Sequence, residues 1–221
     1  DVGIAMGITG TDVSKQATDM ILTDDNFETI VTAVEEGRTI YQNILKAVEF
    51  LIGVNFAQIF LMIFAVGIGW GAPLIAEQLL LINVLADGIP GFYLSREPAE
   101  PLNMKRPPIS RKTSIFADGL GQRVVVRTTT FILLTIGVYG IGRFVLAHND
   151  PAIGMTMLFF TLALGSMIDI YPIKQRSPLS WRGIRSNVAL NAGVILAASV
   201  VVSTAVFPWL GKAFQLTALS P

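Results

Sequence analysis

Asn55 and Gln58, and after them Asn83 and Asp87, lie inside two successive apolar runs, where side chains that want water are out of place. Their oxygens are the ligands that hard cations take, calcium tolerating irregular geometry and magnesium demanding an octahedron. An ionised carboxylate at the centre of a spanning helix costs roughly 2.5 to 3.5 kcal/mol on insertion scales, so Asp87 needs a compensating partner, and a cation is the obvious one. Asn55 and Gln58 are three residues apart and share one helix face; Asn83 and Asp87 are four apart and share another. If the two runs form an antiparallel pair, the faces meet at similar depth and present four side chains with oxygen ligands. The competing reading is that the three amides are interhelical hydrogen-bond glue, a common role in membrane bundles.

Gly88-Ile89-Pro90 follows Asp87 directly. A glycine and a proline without an N–H loosen a helix and free carbonyls at membrane depth, as in the broken helices of many transporters. Gly53, just before Asn55, lets another helix approach closely.

The elements that must position these residues are membrane spans. The chain is 52% hydrophobic and 14% charged, with a mean hydropathy of +0.60; an average soluble domain is roughly 25% charged. Its 16 basic and 16 acidic residues cancel, so no global field favours nucleic acid. The absence of cysteine excludes a disulfide framework, a thiolate metal site and a cysteine nucleophile. The sequence starts at Asp1, without an initiator Met or a leader pattern, and is expected to be an internal piece of something longer.

Residues 1–40 read as α/β: short apolar runs at Val2–Met6 and Met20–Leu22, a short helix over Thr11–Thr18 between them, and a cap at Asp24-Asp25-Asn26 for a longer helix. Five apolar segments follow, at 47–68, 74–94, 124–146, 153–172 and 189–210, each near the roughly 20 residues that cross a bilayer. The expected fold is mostly α: a polytopic transmembrane helix bundle of five spans with a small N-terminal α/β part.

Arg96, Lys105, Arg106, Arg111, Lys112, Arg123 and Arg127 crowd one connection, and Lys174, Arg176, Arg182 and Arg185 the next on that side. The positive-inside rule puts both, and the N-terminal piece, in the cytoplasm, with the C-terminus outside. Asp169 is expected to pair with Lys174 or Arg176 at the interface, Glu49 with Lys46, and Arg143 to snorkel. From these residues alone a pump, a channel or secondary transporter with a small cytosolic cap, and a non-catalytic membrane subunit all stay open.

Several motifs in order add to this. Asp1-Val-Gly-Ile-Ala-Met-Gly7, Leu22-Thr-Asp-Asp-Asn-Phe27, Val34-Glu-Glu-Gly-Arg-Thr-Ile-Tyr41, Asn83-Val-Leu-Ala-Asp-Gly-Ile-Pro90 and Met104-Lys-Arg-Pro-Pro108 together resemble the C-terminal part of a P-type cation-transporting ATPase, most like the calcium-pump branch. The resemblance implies that residues 1–40 are the end of the HAD-like phosphorylation domain and that 41–221 hold transmembrane helices five to nine, the sixth of them unwound. It implies ATP-driven transport through a phospho-aspartate. The ATP and Mg²⁺ sites, the actuator and nucleotide domains and helices one to four would lie upstream as the partner of this chain, in a multi-pass protein of the plasma membrane.

The ion path would be lined by Asn55, Gln58, Asn83 and Asp87, with Ca²⁺ as the transported ion. Gln58 stands where two-site calcium pumps place a glutamate, Ala86 where they place a threonine, and the glutamate of helix eight falls near Leu164. One site is thereby weakened and one divalent ion per cycle is expected, while the loss of two potential negative charges leaves monovalent ions or manganese open.

Overall fold

The computed structural model describes residues 2–99, 103–105, 107–108, 114–116, 119–146, 148–175 and 180–217. Arg106, Arg111, Lys112 and Arg176, counted above among the basic loop residues, lie outside them. The chain divides into two compact units, Asp1–Gln42 with Ala99–Pro108, and Asn43–Pro98 with Ile109–Pro221.

In the first unit, strands β1 (Ile4–Met6) and β2 (Met20–Leu22) pair in parallel, Ile4 opposite Met20 and Met6 opposite Leu22. Parallel strands need a crossover, and α1 (Asp12–Gln16) supplies it, capped by Thr11 Oγ1 on the Ser14 N–H at 3.2 Å. The expected acidic cap splits by role. Asn26 Oδ1 accepts from the Glu28 N–H at 3.0 Å and Asp24 accepts from Asn26 N–H (3.2 Å) and the Thr29 hydroxyl (2.6 Å), so these two start the long helix.

Asp25 does something else. Its backbone is left-handed, at φ 52°, and its carboxylate turns back to accept from the Ile8 N–H (2.8 Å) and from the Thr9 N–H and hydroxyl (both 2.7 Å). It ties down the loop that leaves β1. Those donors, the Ile8 amide foremost, hold the Asp25 carboxyl below its ordinary value; the Thr29 hydroxyl does the same for Asp24.

Helix α2 runs unbroken from Phe27 to Gly67, 41 residues. At 1.5 Å per residue this is about 60 Å, twice the roughly 30 Å of a hydrocarbon core. Within the first unit, the short 3₁₀ turn Asn103–Lys105 is pinned to its early turns. Asn103, 1% exposed, accepts from Gln42 Nε2 (2.8 Å) through Oδ1 and from Arg38 Nη1 (3.1 Å) through its backbone carbonyl, and donates to Thr39 Oγ1 (3.0 Å).

The second unit is a helix bundle. Four helices of the described residues are long and apolar enough to cross a membrane: α2, Leu120–Leu146, Pro151–Gln175 and Val188–Val206. The second of these is α5 (Leu120–Gly140) continued by a π-helical segment, Ile141–Leu146; the other two are α6 and α8. The fifth expected span, 74–94, is not one continuous α-helix but three pieces end to end, α3 (Ala76–Leu81), a π-helical segment (Ile82–Gly88) and α4 (Ile89–Leu94). The last expected span stops early, because Pro208 cannot continue α8 and opens α9 (Pro208–Ala213) instead.

Helix α6 is the hub, with Leu158, Phe159, Leu162 and Ala163 fully buried against Leu61 of α2, Tyr139 of α5, Ala86 of the π segment and Ala197 of α8. Where α5 hands over to its π segment, a Cβ on Gly142 would stand 2.7 Å from the Gly154 Cα, so glycine there permits backbone contact between neighbouring helices. Large apolar side chains such as Phe56, Ile63, Leu133 and Ile195 are left exposed, as lipid-facing positions are.

The ion pairs differ from expectation. Glu49, 1% exposed, takes the Nε of both Arg123 and Arg127 at 3.0 Å, not Lys46. Arg127 also bonds the Asp169 carboxylate through Nη1, while Lys174 goes to Glu97 at 3.4 Å. Sequence-near partners lose here because the guanidinium fork from α5 reaches two carboxylates at once. Arg143 does not simply snorkel: its Nη1 donates to the Trp70 carbonyl at 2.7 Å, in the turn after α2.

Candidate functional site

The segment around Asp87 is shaped by Pro90. A proline has no N–H and its ring clashes with the carbonyl four residues back, here that of Ala86. The chain answers by widening. Ile82–Gly88 is π-helical rather than unwound, and α-geometry resumes at Ile89 with Pro90 in its first turn. The expected broken helix is therefore a bulged one, a form of local irregularity that recurs at functional sites.

Asp87 is 1% exposed, and both of its carboxylate oxygens are buried without a hydrogen-bond partner. The polar side chain that bears on it is Ser166 of α6, itself fully buried, but Ser166 Oγ donates to the Ala163 carbonyl at 3.2 Å. A buried carboxylate with two unsatisfied oxygens is among the costliest groups a protein can hold. Ser166 was not singled out from the sequence, since a serine in an apolar span gives no signal apart from its neighbours. Leu164, two residues earlier, is partly buried in the apolar core.

Gln58 on α2 is 4% exposed, and its Nε2 is likewise buried without a partner. The two asparagines differ. Asn55 Nδ2 donates to the Leu51 carbonyl of its own helix at 2.7 Å, an intrahelical bond that leaves Oδ1 available. Asn83 is exposed: the buried line of the π segment runs through Ile82, Ala86 and Asp87 and leaves it just over the edge. Of the four expected residues, then, Gln58 and Asp87 are buried and unsatisfied, Asn55 is half-buried and Asn83 is at the surface of this chain. No group of three or more His, Cys, Asp or Glu side chains suited to a metal occurs among the described residues. Any cation at Asp87 would have to draw on amide, hydroxyl and backbone oxygens as well.

The family described as "Cation transporting ATPase, C-terminus" matches residues 71–221. The chain belongs to the cation-transporting ATPases. It is similar over its full length to a calcium-transporting ATPase of Bacillus subtilis (35% identity, 100% of this chain, 25% of the relative) and to a calcium-transporting ATPase type 2C member 1 of Pongo abelii (33%, 100% and 24%). Over half its length it is similar to a P-type sodium-transporting ATPase4 of Toxoplasma gondii (51% identity, 52% of this chain, 9% of the relative). The chain thus spans about a quarter of the length of the calcium-transporting relatives it matches. With four long apolar helices, this ATPase-family chain is a multi-pass membrane protein.

Proposed function

We propose that this chain is the C-terminal membrane part of an ATP-driven cation pump and that Asp87 carries the transported ion. The observation behind this is the Asp87 carboxylate, buried beside a π-bulge with neither oxygen satisfied by the protein. A structural carboxylate at that depth would be paired; one held open suits a ligand that comes and goes. Gln58, buried on α2, supplies its amide oxygen as the second ligand, and Asn55 contributes Oδ1. Asn83 completes the set once another part of the pump covers its face. The segment 76–94 is the fifth crossing, and the Arg-rich end of the bundle is cytoplasmic.

The ion is calcium, one per cycle. Calcium accepts irregular oxygen sets, and a site with one carboxylate and several amides matches one divalent ion better than two. ATP and Mg²⁺ act in the rest of the pump, residues 1–40 being the end of its phosphorylation domain.

ATP-dependent calcium uptake into vesicles bearing the full-length protein tests this. Asp87→Ala is expected to abolish uptake with the protein still present in the membrane. ATP-independent calcium flux of wild-type size would instead favour a channel.

A further inference from the structure

Glu97 and Lys174 form a buried ion pair away from the candidate cation site, at 3.4 Å with the Lys174 side chain 1% exposed. Glu97 stands three residues past the end of α4, and its N–H donates to the Leu94 carbonyl at 3.2 Å. It is thus fastened to the last turn of the helix that follows Asp87. Elements distant in the chain converge on it. Its carboxylate accepts from Lys174 Nζ at the end of α6, from Asn187 Nδ2 at 2.9 Å and from Ser186 Oγ at 3.4 Å. Asn187 is at the same time the N-cap of α8, its Oδ1 accepting from the Leu190 N–H at 2.9 Å. Asn43 Nδ2 of α2 donates to the Glu97 backbone carbonyl at 2.7 Å. Helix α2 also carries Asn55 and Gln58, so the two elements that bear the proposed ligands are joined at one point.

The segment that needs such a tie is 76–94. Its middle, Ile82–Gly88, is π-helical, and the α-geometry on either side is the ordinary form to which a π stretch reverts. A slip of one residue there would turn Asp87 by about 100° and shift it by about 1.5 Å, taking its carboxylate off the buried face. The far end is held as well. Gln78 of α3, fully buried, donates through Nε2 to the Phe214 carbonyl at 2.9 Å and accepts from the Ile75 N–H at 3.3 Å. With both ends tied by directional bonds, the bulge stays between them and Asp87 stays turned inward.

We infer that Glu97, held by Lys174 and Asn187, is a positioning residue for the cation site: it fixes the register of Asp87 against the amides of α2 without touching the ion. The inference rests on Asp87 as the ion carrier. Glu97 lies ten residues further on, about 15 Å along a helix axis, so it is no ligand itself. An apolar pair of similar volume would hold the helices together as well or better. It would lack the directional bonds that set a register.

Equilibrium calcium binding to the purified full-length protein, measured beside thermal unfolding in chelator, tests this. Glu97→Leu combined with Lys174→Met should leave the unfolding temperature unchanged or higher. The dissociation constant for calcium should nonetheless rise about 10- to 100-fold, as when the outer partner of a metal ligand is lost. Asn43→Ala, which leaves the ion pair in place and breaks only its tie to α2, should raise the constant about tenfold, and it keeps the test decisive if the double variant fails to fold. Asp87→Asn is run alongside. Undiminished calcium binding in that variant would sink the cation reading and this inference with it. Loss of binding there, with the double variant or Asn43→Ala within about twofold of wild type, would overturn the positioning role alone. Weaker binding in a double variant that also unfolds several degrees lower would make the pair merely structural and overturn it too.

Discussion

Replacing Asp87 by asparagine should make the cation-free protein more stable while destroying its transport. An ionised carboxylate at membrane depth costs about 3 kcal/mol, and an isosteric amide with unsatisfied groups costs about 1–2 kcal/mol, so the variant should gain about 1–2 kcal/mol. That is roughly a 5- to 30-fold change in the folded-to-unfolded ratio. Bound cation reverses the order. At a concentration 100 times its dissociation constant, a ligand that binds only the native state stabilises the wild type by about 2.7 kcal/mol. The wild type should then exceed Asp87→Asn by about 1 kcal/mol, because the variant has lost the charge that recruits the ion. The assay is thermal unfolding of the detergent-solubilised full-length protein, with a calcium chelator and with saturating calcium. A wild type more stable than the variant under both conditions, or a calcium shift of equal size in the two proteins, would refute the reasoning. Either result would mean that Asp87 is satisfied from within the protein or that calcium binds elsewhere.

Glu49→Ala removes the acceptor shared by Arg123 and Arg127. Breaking a buried pair costs about 3–5 kcal/mol, but Arg127 keeps Asp169, so about 2–3 kcal/mol is expected from denaturation in chelator. Gly142→Val forces a side chain against the Gly154 backbone and should lower stability by about 1–3 kcal/mol, whereas Gly140→Ala, which meets nothing within 4 Å, should be tolerated. Asp25, its carboxyl held below the ordinary value by the Ile8 and Thr9 donors, stabilises its loop fully above the unfolded value near 3.8. That contribution is lost as pH falls through the lower folded value, so hydrogen exchange at the Ile8 and Thr9 amides should accelerate there and be fast at every pH in Asp25→Ala.

Four of the five expected spans were legible because about 20 apolar residues in a row leave a chain few alternatives to crossing a membrane. Asp87 stood out for the same reason, being a charge inside such a run. What the sequence hid was anything set by contact between distant segments. Glu49 chose Arg123 and Arg127, more than 70 positions away, over Lys46 three positions away, because the packing of α2 on α5 decides reach. Asn83 shares a face with Asp87 by spacing, yet sharing a face is not sharing burial; the neighbouring helix covers one and not the other. Asp25 looked like part of a cap and instead bonds the loop after β1, a choice fixed by its left-handed backbone. Pro90 announced an irregular helix, but whether the chain unwinds or widens depends on how its freed carbonyls are met, which one sequence does not reveal.

Equilibrium binding of radioactive calcium to the purified full-length protein tests directly whether Asp87 holds a single cation. It should show one calcium per molecule in the wild type and none in Asp87→Asn at the same free calcium. Two per molecule, or undiminished binding in the variant, would contradict it.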